Sequence, residues 1–346
     1  MPSVTIISPD PANQAGGMER ACVLLADILE RQGWSATIVG PRRPPTQWEF
    51  RLGIGHPVRS LSATKAARAG HPDLVVSNGY LGVGIPSRIP RVHVYHGTMV
   101  GGTKAQAGAL PRRELVRRSL SAGTMEAIAG RGARRVVCVS ETTAEEVRRY
   151  YRLTGTAVIP NGIDTATFAP RDRSAARERL GLRRDARYAT FVGRFEHGKG
   201  DHLALEATGR AGYELLIAGP TGDGHGAHHL GVLPPEQLAD AYAAADCVVF
   251  PSRYEGCSLV VLEALACGRP LITTRVGWMN TLLRAVPEYD QLCVEPTVDD
   301  IHARLRALSD LDTAPLISTA REFVLEHNSL ERYGEHWRAL LQGLCS

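Results

Sequence analysis

The sequence predicts an α/β protein with two doubly wound, Rossmann-like domains. Short runs rich in Val and Ile recur along the chain, and longer segments with helical spacing separate them. One turn cluster, residues 160–164, interrupts this alternation near the middle of the chain. Strands that alternate with helices indicate mostly parallel sheets covered by helices on both faces. A chain of 346 residues is long enough to give each of two domains its own core.

The composition excludes several classes of protein. The 40 Lys and Arg against 36 Asp and Glu give a net charge of +4, which argues against a nucleic-acid partner. The seven cysteines contain no Cys-x-x-Cys pair, so we expect reduced thiols. The N-terminus enters a strand-like run directly, and no apolar run reaches the roughly 18 residues of a membrane span. We therefore expect a soluble, cytoplasmic protein.

The first half of the chain predicts six strands and one long helix. The strands are residues 4–8, 36–39, 74–76, 92–95, 136–139 and 157–159. They are short and aliphatic, as is typical of buried parallel strands. The amphipathic segment 18–31, between the first two strands, has the spacing of a helix.

The second half repeats this pattern after an Arg-rich stretch at 170–187. Its predicted strands are residues 188–192, 215–218, 247–250, 271–273 and 292–294, and its helices are 238–244, 259–266 and 301–308. An amphipathic helix at 329–344 closes the chain. We place the first domain at 1–163 and the second at 164–328, and we expect residues 329–346 to pack back on the first.

Doubly wound domains bind ligands at the carboxyl ends of their strands, so the loops at those ends are the candidate site. The first of these loops contains Gly16 and Gly17 at the start of a helix. Paired glycines allow a ligand to approach the backbone closely, and a helix N-terminus favours an anion. The loop lacks the Gly-x-Gly-x-x-Gly spacing of a dinucleotide site, which argues against hydride transfer. A turn selected only for its φ angles is the alternative.

A second loop, residues 192–200, presents Arg194 and Lys199 around a Gly-rich turn. The planar guanidinium of Arg pairs with phosphate oxygens, and Lys adds a mobile point charge. Together they suit a diphosphate. The alternative is a solvated surface loop.

A third segment, residues 255–263, carries Glu255 in a loop and Glu263 inside an aliphatic helix. If this helix begins near Cys257, Glu263 lies roughly 9 Å along it at a rise of about 1.5 Å per residue. One carboxylate can then meet a reacting sugar while the other contacts a more distant part of the same ligand. The alternative is a capping Glu followed by an exposed helical Glu.

His96 is the fourth candidate, because it follows the strand 92–95 directly and precedes Gly97. The carboxyl end of a strand is the functional edge of such a sheet, which favours a role in binding or catalysis. A structural histidine is the alternative.

These motifs occur in an order that is typical of one enzyme family. The Gly-Gly loop, His96-Gly97, Val139-Ser140, the Ile-Pro-Asn-Gly-Ile-Asp cluster, Gly-Arg-x4-Lys-Gly and Glu-x7-Glu follow one another from residue 3 to about 285. In this order they resemble the retaining glycosyltransferases of family GT4, and residues 230–271 are the most similar part. The resemblance implies the GT-B architecture, in which two Rossmann-like domains face a central cleft, the first for the acceptor and the second for the donor.

The resemblance also implies a role for each matched position. Glu255 and His96 would be the catalytic pair beside the transferred sugar, and Glu263 would accept hydrogen bonds from the ribose. The groups expected at the donor diphosphate are Gly16, Gly17, Arg194, Lys199, Ser258, Leu259 and Val260. The backbone expected near the base is that of Gly231, Val232 and Leu233.

Simple electrostatics agrees with these roles. A leaving nucleoside diphosphate develops negative charge, and Arg, Lys and a helix N-terminus stabilise that charge without a divalent metal. We therefore expect no cofactor and no metal. A UDP-sugar is the favoured donor because UDP is common among the relatives, and a small or lipid-linked molecule is the expected acceptor. The retaining relatives are usually assigned a front-face attack, in which the leaving phosphate accepts the proton of the acceptor.

Two positions depart from the family pattern. After Glu255 and Gly256 many relatives carry an aromatic residue and a glycine, whereas this chain has Cys257 and Ser258. After the strand 74–76 many relatives carry a His, whereas this chain has Ser-Asn-Gly-Tyr. Asn78 and Tyr80 either line an acceptor pocket or form a turn.

Two other functions are compatible with the same motifs. A nucleotide-sugar epimerase or isomerase would need a carboxylate base that the sequence does not locate. A non-catalytic nucleotide-sugar-binding partner subunit would not need Arg194, Lys199, Glu255 and Glu263 all together, so their presence argues against it.

Three further patterns are interpreted without a function. His225-x-x-His228-His229 has no Cys or carboxylate partner at ligand spacing, and Asp310-Leu311-Asp312 lies between predicted helices. The basic stretch 104–118 has a poor apolar face, so we favour a solvated acceptor loop there over a membrane-binding surface.

Overall fold

The computed structural model describes residues 1–11, 16–42, 49, 55–108, 111–194, 197–220 and 226–345. The chain forms two compact units. The first unit consists of Met1–Asn161, Glu255–Cys257 and Tyr333–Ser346. The second unit consists of Gly162–Tyr254 and Ser258–Arg332.

The first unit is built on a parallel sheet of six strands in the order β2-β1-β3-β4-β5-β6. The strands are β1 (Ser3–Ile7), β2 (Ser35–Val39), β3 (Leu74–Asn78), β4 (Arg91–Tyr95), β5 (Arg135–Cys138) and β6 (Ala157–Val158). The helices are α1 (Gly17–Arg31), α2 (Gly55–Ala69), α3 (Met99–Ala105), α4 (Arg112–Arg131) and α5 (Glu141–Glu146), which a π turn at Val147–Tyr151 extends. All six strands expected in this half are confirmed.

Burial explains why these strands were readable from the sequence. Every residue of β3 and β4 is buried, because these two strands lie in the middle of the sheet. A central parallel strand is covered on both faces, which favours apolar runs such as Leu-Val-Val at the start of β3, although β4 also buries Arg91 and His93. Tyr95, at the end of β4, packs with Cys138 and Tyr151 in one cluster of the core.

The second unit has a parallel sheet of five strands in the order β11-β10-β7-β8-β9. The strands are β7 (Tyr188–Val192), β8 (Glu214–Ala218), β9 (His228–Gly231), β10 (Cys247–Phe250) and β11 (Leu271–Thr273). The helices are α6 (Arg173–Arg179), α7 (Asp201–Arg210), α8 (Pro235–Ala244), α9 (Leu259–Ala266), α10 (Met279–Ala285), α11 (Val298–Ala307) and α12 (Ala314–Asn328). Short 3-10 turns occupy His197–Lys199, Pro287–Leu292 and Leu308–Asp310.

The strand expected at 292–294 is wrong. Cys293 makes only a single parallel bridge, to Thr273, and the segment before it is a 3-10 turn. The amide of Val294 donates to the carbonyl of Thr273 at 2.8 Å, and Pro296, two residues later, has no N–H for the next bond of a ladder. The pairing therefore ends after one bridge.

The strand β9 was missed by the sequence patterns. Its sequence is His-His-Leu-Gly, with one large apolar residue, and its two histidines are exposed. It pairs only with β8, at the edge of the sheet, and edge strands do not need the apolar run of a central strand.

The Arg-rich stretch 170–187 forms a structural ion-pair network. Asp172 caps α6 by accepting a hydrogen bond from the amide of Ala175. The arginines of the stretch reach two carboxylates of the same unit: Arg171 and Arg179 bind Asp240, and Arg173 and Arg177 bind Asp246. Four of the seven arginines of this stretch are therefore paired with these two carboxylates within the second unit.

The last helix, α13 (Leu330–Cys345), lies mainly in the first unit. The Gln32 side chain, at the end of α1, donates a hydrogen bond of 2.7 Å to the carbonyl of Gly334. A side chain at Gly334 would place its Cβ 3.4 Å from Ile28, so the two helices pack closely there. Trp337 is buried in the same packing. Within the described residues, the helices are all too short or too polar to cross a membrane.

Candidate functional site

His96 lies directly after β4, and its ring is oriented by a neighbouring strand. The side-chain nitrogen of Asn78, the last residue of β3, donates to the carbonyl of Ile7 at 2.8 Å. The Asn78 oxygen is then the atom that faces His96 Nε2, at 3.0 Å. Since that oxygen can only accept, His96 carries its proton on Nε2. Burial lowers the pKa of His96 to about 4, so the ring is neutral at pH 7 with its lone pair on Nδ1.

A cavity in the first unit lies beside this pair. Three polar side chains face it, and the remaining lining is apolar or aromatic. The lining residues are Ala21, Cys22, Leu25, Asn78, Val94, His96, Val137, Val139, Ile159, Asn161, Tyr333 and Trp337. The cavity therefore presents a few hydrogen-bonding groups inside an otherwise apolar wall.

The segment of Glu255, Gly256 and Cys257 belongs to the first unit and packs against His96. A Cβ atom at Gly256 would lie 2.2 Å from the carbonyl oxygen of His96, so only glycine allows this approach. The Asn161 side chain donates to the carbonyl of Cys257 at 2.7 Å and fixes the segment from its other end. The structure thus brings the segment of the half-buried Glu255 next to the His96 loop, although the two are far apart in the sequence.

The start of α1 carries the predicted Gly16 and Gly17, while Ala15 lies outside the described residues. No side chain caps this helix at Gly16. The carboxylate of Glu19 folds back over the first turn, where a Cβ atom at Gly16 would lie 1.9 Å from Glu19 Oε2. Among the described residues, nothing lies within 4 Å of a Cβ atom added at Gly17, so the Glu19 carboxylate covers the Gly16 side of the first turn.

Tyr80 lies in the turn after β3, beside the ring of His56 at 4.8 Å between centroids. Burial is the main cause that raises the pKa of the Tyr80 hydroxyl. Burial and the charges of Arg59, Arg117 and Arg118 lower the pKa of His56 to about 4. The two rings are thus neutral hydrogen-bonding groups at the same edge of the sheet as Asn78.

In the second unit, Arg194 and Lys199 both lie in the loop after β7. Arg194 is exposed, and Lys199 ends a 3-10 turn with its Nζ 5.9 Å from the ring centroid of Phe250. Gly200 has φ +73, and a Cβ atom there would meet the carbonyl of Pro251 at 2.6 Å. This close packing fixes the end of the loop against the segment that follows β10. Phe195 and Glu196 lie outside the described residues.

Two other loops of the second unit meet the loop of Arg194. A Cβ atom at Gly219, after β8, would lie 2.1 Å from the carbonyl of Gly193. The amide of Gly219 also donates to the carbonyl of Gly231 at 2.8 Å. Of the predicted base-contacting backbone, Gly231 ends β9, Val232 is exposed and Leu233 is half-buried. The glycines therefore bring the carboxyl ends of β7, β8 and β9 together.

The helix α9 presents the remaining predicted donor groups. Ser258 is its N-cap residue but makes no side-chain cap hydrogen bond, and Leu259 and Val260 form its first turn. A Ser at this position usually accepts from an amide of the first turn. The first-turn amides are therefore not satisfied by that side chain.

Glu263 lies in the middle of α9 and is completely buried. The hydroxyl of Tyr242, on α8, donates to its Oε2 at 2.8 Å. A buried carboxylate is costly without such a partner. Tyr242 therefore sets the orientation of the carboxylate predicted to bind ribose.

The patterns without an assigned function have structural partners. His228 binds the Glu214 carboxylate at 2.6 Å, and His225 lies outside the described residues. Arg117 and Arg118 bind Glu114 on the same helix, and Lys104 lies over the ring of Tyr150. Across the part of the chain that the structure describes, no three or more His, Cys, Asp or Glu side chains gather as a metal site.

Three residues of these surroundings were missed in the sequence. Asn161 lies inside the Ile-Pro-Asn-Gly-Ile-Asp cluster, so that motif was its signal. Glu126 lies in a helix among small apolar residues, and an acid in such a stripe is a signal of a buried carboxyl. Tyr242 sits in an Ala-rich helix, where nothing in the pattern separates it from an ordinary core residue.

Comparison with known proteins finds a glycosyltransferase family model over each half of the chain. Residues 15–167 match the model "Glycosyltransferase Family 4", and residues 172–321 match "Glycosyl transferases group 1".

Two curated relatives are D-inositol 3-phosphate glycosyltransferases. The protein of Geodermatophilus obscurus is 34% identical over 253 residues, which are 62% of this chain and 54% of the relative. The protein of Segniliparus rotundus is 33% identical over 214 residues, 55% of this chain and 46% of the relative. The chain spans about half the length of the curated relatives it matches.

Solved structures show the same fold. Sucrose-phosphate synthase from Thermosynechococcus elongatus has a TM-score of 0.82 at 24% identity and covers 99% of each chain. The Alr3699/HepE protein of Anabaena, solved in complex with UDP and glucose, has a TM-score of 0.71 at 16% identity, covering 98% of this chain and 99% of its own. At these identities the likeness concerns the fold, and the fold class predicted from the sequence is confirmed.

Proposed function

The chain belongs to glycosyltransferase family 4, with two Rossmann-like domains of the GT-B type, and we propose that it transfers a sugar from a nucleoside diphosphate to a hydroxylated acceptor. One observation supports the proposal most strongly. Gly256 packs on the main-chain carbonyl of His96, so the backbone of Glu255 lies next to the His96 loop at the carboxyl edge of the first sheet. A carboxylate and a neutral imidazole at one such edge suit the recognition of sugar hydroxyls.

The donor diphosphate would bind in the second unit. Arg194 and Lys199 supply two positive charges in the loop after β7, and the first turn of α9 adds amide donors. Positive groups that are already in place stabilise the charge that develops on the leaving diphosphate. Glu263, oriented by Tyr242, would accept the ribose hydroxyls.

His96 would act as a neutral hydrogen-bonding group rather than as a charged acid. With its pKa lowered to about 4, the ring keeps one donor and one acceptor across the neutral pH range. Asn78 holds Nε2, which leaves Nδ1 as the ring atom with a lone pair for a sugar hydroxyl. Glu255, half-buried at the same edge, would accept from a second hydroxyl of the sugar.

The proposed reaction is a front-face transfer with retention of the anomeric configuration. The bond between the anomeric carbon and the donor phosphate oxygen breaks, and the acceptor oxygen bonds to the same face of that carbon. The acceptor proton passes to the departing phosphate oxygen. Because Arg194, Lys199 and the amides of α9 balance the charge of the diphosphate, we expect the reaction to proceed without a divalent metal.

The comparisons suggest which substrates to test first. The Anabaena neighbour was solved with UDP and glucose, and the curated relatives are named for inositol 3-phosphate. We therefore favour a UDP-sugar as donor and a small polyol phosphate as the first acceptor, with a lipid-linked acceptor as the second.

The function is tested by incubating the protein with UDP-, GDP- and dTDP-sugars, with and without acceptors, in the presence of EDTA. Nucleotide release and product mass are followed, and proton NMR reports the anomeric configuration. We expect release that depends on the acceptor, with a product of unchanged configuration. An inverted product would contradict front-face transfer, and loss of activity in EDTA that added metal restores would contradict the metal-free reaction.

The same experiment separates the two alternatives. An epimerase or isomerase would convert the sugar nucleotide without releasing the nucleotide. A binding-only partner subunit would retain the nucleotide sugar unchanged with every acceptor. Either result would overturn the proposed transfer.

A further inference from the structure

Glu126 is a buried acid that the proposed reaction does not use. Glu126 lies on α4 and is only 3% exposed. Its Oε2 accepts a hydrogen bond of 2.8 Å from the amide of Met99. The hydroxyl of Tyr151 donates to the same oxygen. Met99 begins α3 and is three residues after His96, so the carboxylate holds the far end of the His96 loop.

The other carboxylate oxygen faces a second loop of the site. A Cβ atom at Gly79 would lie 3.7 Å from Glu126 Oε1, and Gly79 separates Asn78 from Tyr80. The backbone carbonyl of Glu126 also accepts from the hydroxyl of Tyr95, at 2.7 Å. One residue therefore contacts the turn that follows Asn78 at the end of β3 and the turn after β4 that contains His96.

We propose that Glu126 is a positioning residue, whose carboxylate sets the placement of the His96 loop through the Met99 amide. The inference rests on the proposed function, in which His96 contacts the sugar. It assigns no chemical step to Glu126 itself.

Ionisable groups from several neighbouring elements surround Glu126. Tyr95 belongs to β4, Tyr80 to the turn after β3, and Glu146 and Tyr151 to α5 and its π turn. Glu146 is itself engaged in the loop, since it accepts from the hydroxyl of Thr98 at 2.7 Å. The negative charge of Glu146 disfavours a second negative charge on Glu126.

The protonation state of Glu126 therefore changes near neutral pH. Burial, with a smaller contribution from the charge of Glu146, raises the pKa of Glu126 to about 7. The ionised carboxylate is the stronger acceptor for the Met99 amide and the Tyr151 hydroxyl. We expect the His96 loop to be held more firmly as the pH rises through about 7, whereas His96 itself titrates only near 4.

A merely structural carboxyl would give a different signature. Glu126→Gln keeps the shape of the side chain and an oxygen for the Met99 amide, so the loop can still form. It removes the ionisation. A pH dependence that disappears in this variant therefore reports the charge on Glu126 and not its packing.

The test follows the Met99 amide and the His96 ring by NMR between pH 5 and 9, together with kcat and KM, in four proteins. In the wild type we expect the Met99 amide and kcat to change together with a midpoint near the pKa of Glu126, about 7. Glu126→Gln should abolish this midpoint and lower kcat at high pH by about tenfold, with KM little changed, because a misplaced group lowers turnover. Tyr151→Phe should move the midpoint to higher pH, since the Tyr151 hydrogen bond lowers the pKa of Glu126.

Glu114→Gln is the matched control. Glu114 lies on the same helix but binds Arg117 and Arg118, so its removal should leave the midpoint unchanged. A chemical shift of the Met99 amide that does not change with pH, or a midpoint that persists in Glu126→Gln, would overturn the proposal. If Glu126→Gln does not fold, an unshifted midpoint in Tyr151→Phe would overturn it. If no acceptor supports transfer, the proposed function fails, and the NMR series still decides whether Glu126 controls the loop.

Discussion

The two units share the same type of parallel sheet, yet the groups at the carboxyl ends of their strands differ in charge. In the first unit a neutral imidazole, that of His96, lies near the segment of Glu255, and the Glu126 carboxyl is buried behind the His96 loop. Burial lowers the pKa of His96 to about 4 and raises that of Glu126 to about 7. In the second unit the loop after β7 carries Arg194 and Lys199. We infer that the first edge is suited to hydroxyl groups and the second to a diphosphate.

The net charges of the two units have the opposite signs to those that the proposed binding sites suggest. The first unit has 22 Lys and Arg against 13 Asp and Glu, a net charge of +9, whereas the second has 18 against 23, a net charge of −5. The proposed phosphate-binding pair thus lies in the more acidic unit. Several acids of that unit, such as Asp240 and Asp246, are paired with arginines of α6 and its surroundings. The placement of a few charges therefore matters more for function than the total.

The largest effect is expected from removing a charge of the second unit. Arg194→Ala should lower kcat/KM by about two orders of magnitude or more, because the leaving diphosphate loses a donor with a full charge. Arg183→Ala is the control, since Arg183 is exposed and paired with Glu214. Steady-state nucleotide release measures both variants. Equal loss in both, or no loss in Arg194→Ala, would contradict the role of Arg194.

A second prediction concerns the contact that holds Glu255 beside His96. Gly256→Ala would place a Cβ atom 2.2 Å from the His96 carbonyl, so the segment must move. We expect a loss of about 1–3 kcal/mol in the free energy of unfolding and a loss of activity of about tenfold or more. Urea denaturation and the transfer assay measure the two effects.

Gly209→Ala is the matched control for this substitution. Gly209 lies inside α7 with nothing within 4 Å of an added Cβ. Alanine should there stabilise the helix, by up to about 1 kcal/mol, and leave activity unchanged. An unaffected Gly256→Ala variant would show that the close approach is not required.

A smaller effect is expected at the carboxylate assigned to ribose. Tyr242→Phe removes the hydroxyl that orients the buried Glu263, and an unsatisfied buried group costs about 1–3 kcal/mol of stability. We expect a higher KM for the donor, with kcat less changed. Tyr289→Phe removes another buried hydroxyl of the same unit, which accepts from the amide of Leu271. It should lower the melting temperature without changing KM, and a raised KM in both variants would refute a specific effect at Glu263.

The smallest expected effect is a pH dependence of stability that arises in the first unit. The unfolded chain binds a proton at His96 near the ordinary pKa of 6.5, whereas the folded protein does so only near 4. Stability from this group is therefore complete above 6.5 and is lost as the pH falls toward 4. His96→Gln should reduce the fall of the melting temperature between pH 7 and 5. An unchanged fall would show that other groups dominate.

The sequence predicted most of the fold because parallel strands covered on both faces form short aliphatic runs. The fully buried strand β10, Cys-Val-Val-Phe, is a clear example. The edge strand β9 was missed because it carries little apolar surface. The strand expected at 292–294 was wrong because a 3-10 turn reaches Leu292 and Pro296 has no N–H to extend the single bridge at Cys293.

The candidate site was predictable in residue types and not in geometry. Motif order pointed to His96, Arg194, Lys199, Glu255 and Glu263. The packing of Gly256 on His96 joins distant parts of the chain, and no local pattern encodes such a contact. The neutral state of His96 and the raised pKa of Glu126 both arise from burial, which a sequence pattern does not quantify.

The most direct test of the difference between the two units is calorimetric titration with UDP. UDP carries the diphosphate but no sugar, so it should engage the second unit's charges and not His96. We expect Arg194→Ala to weaken UDP binding by about tenfold or more, a loss of about 1.4 kcal/mol, and His96→Ala to bind UDP like the wild type. Unchanged affinity in Arg194→Ala, or an equal loss in His96→Ala, would contradict the assignment of the diphosphate to the second unit.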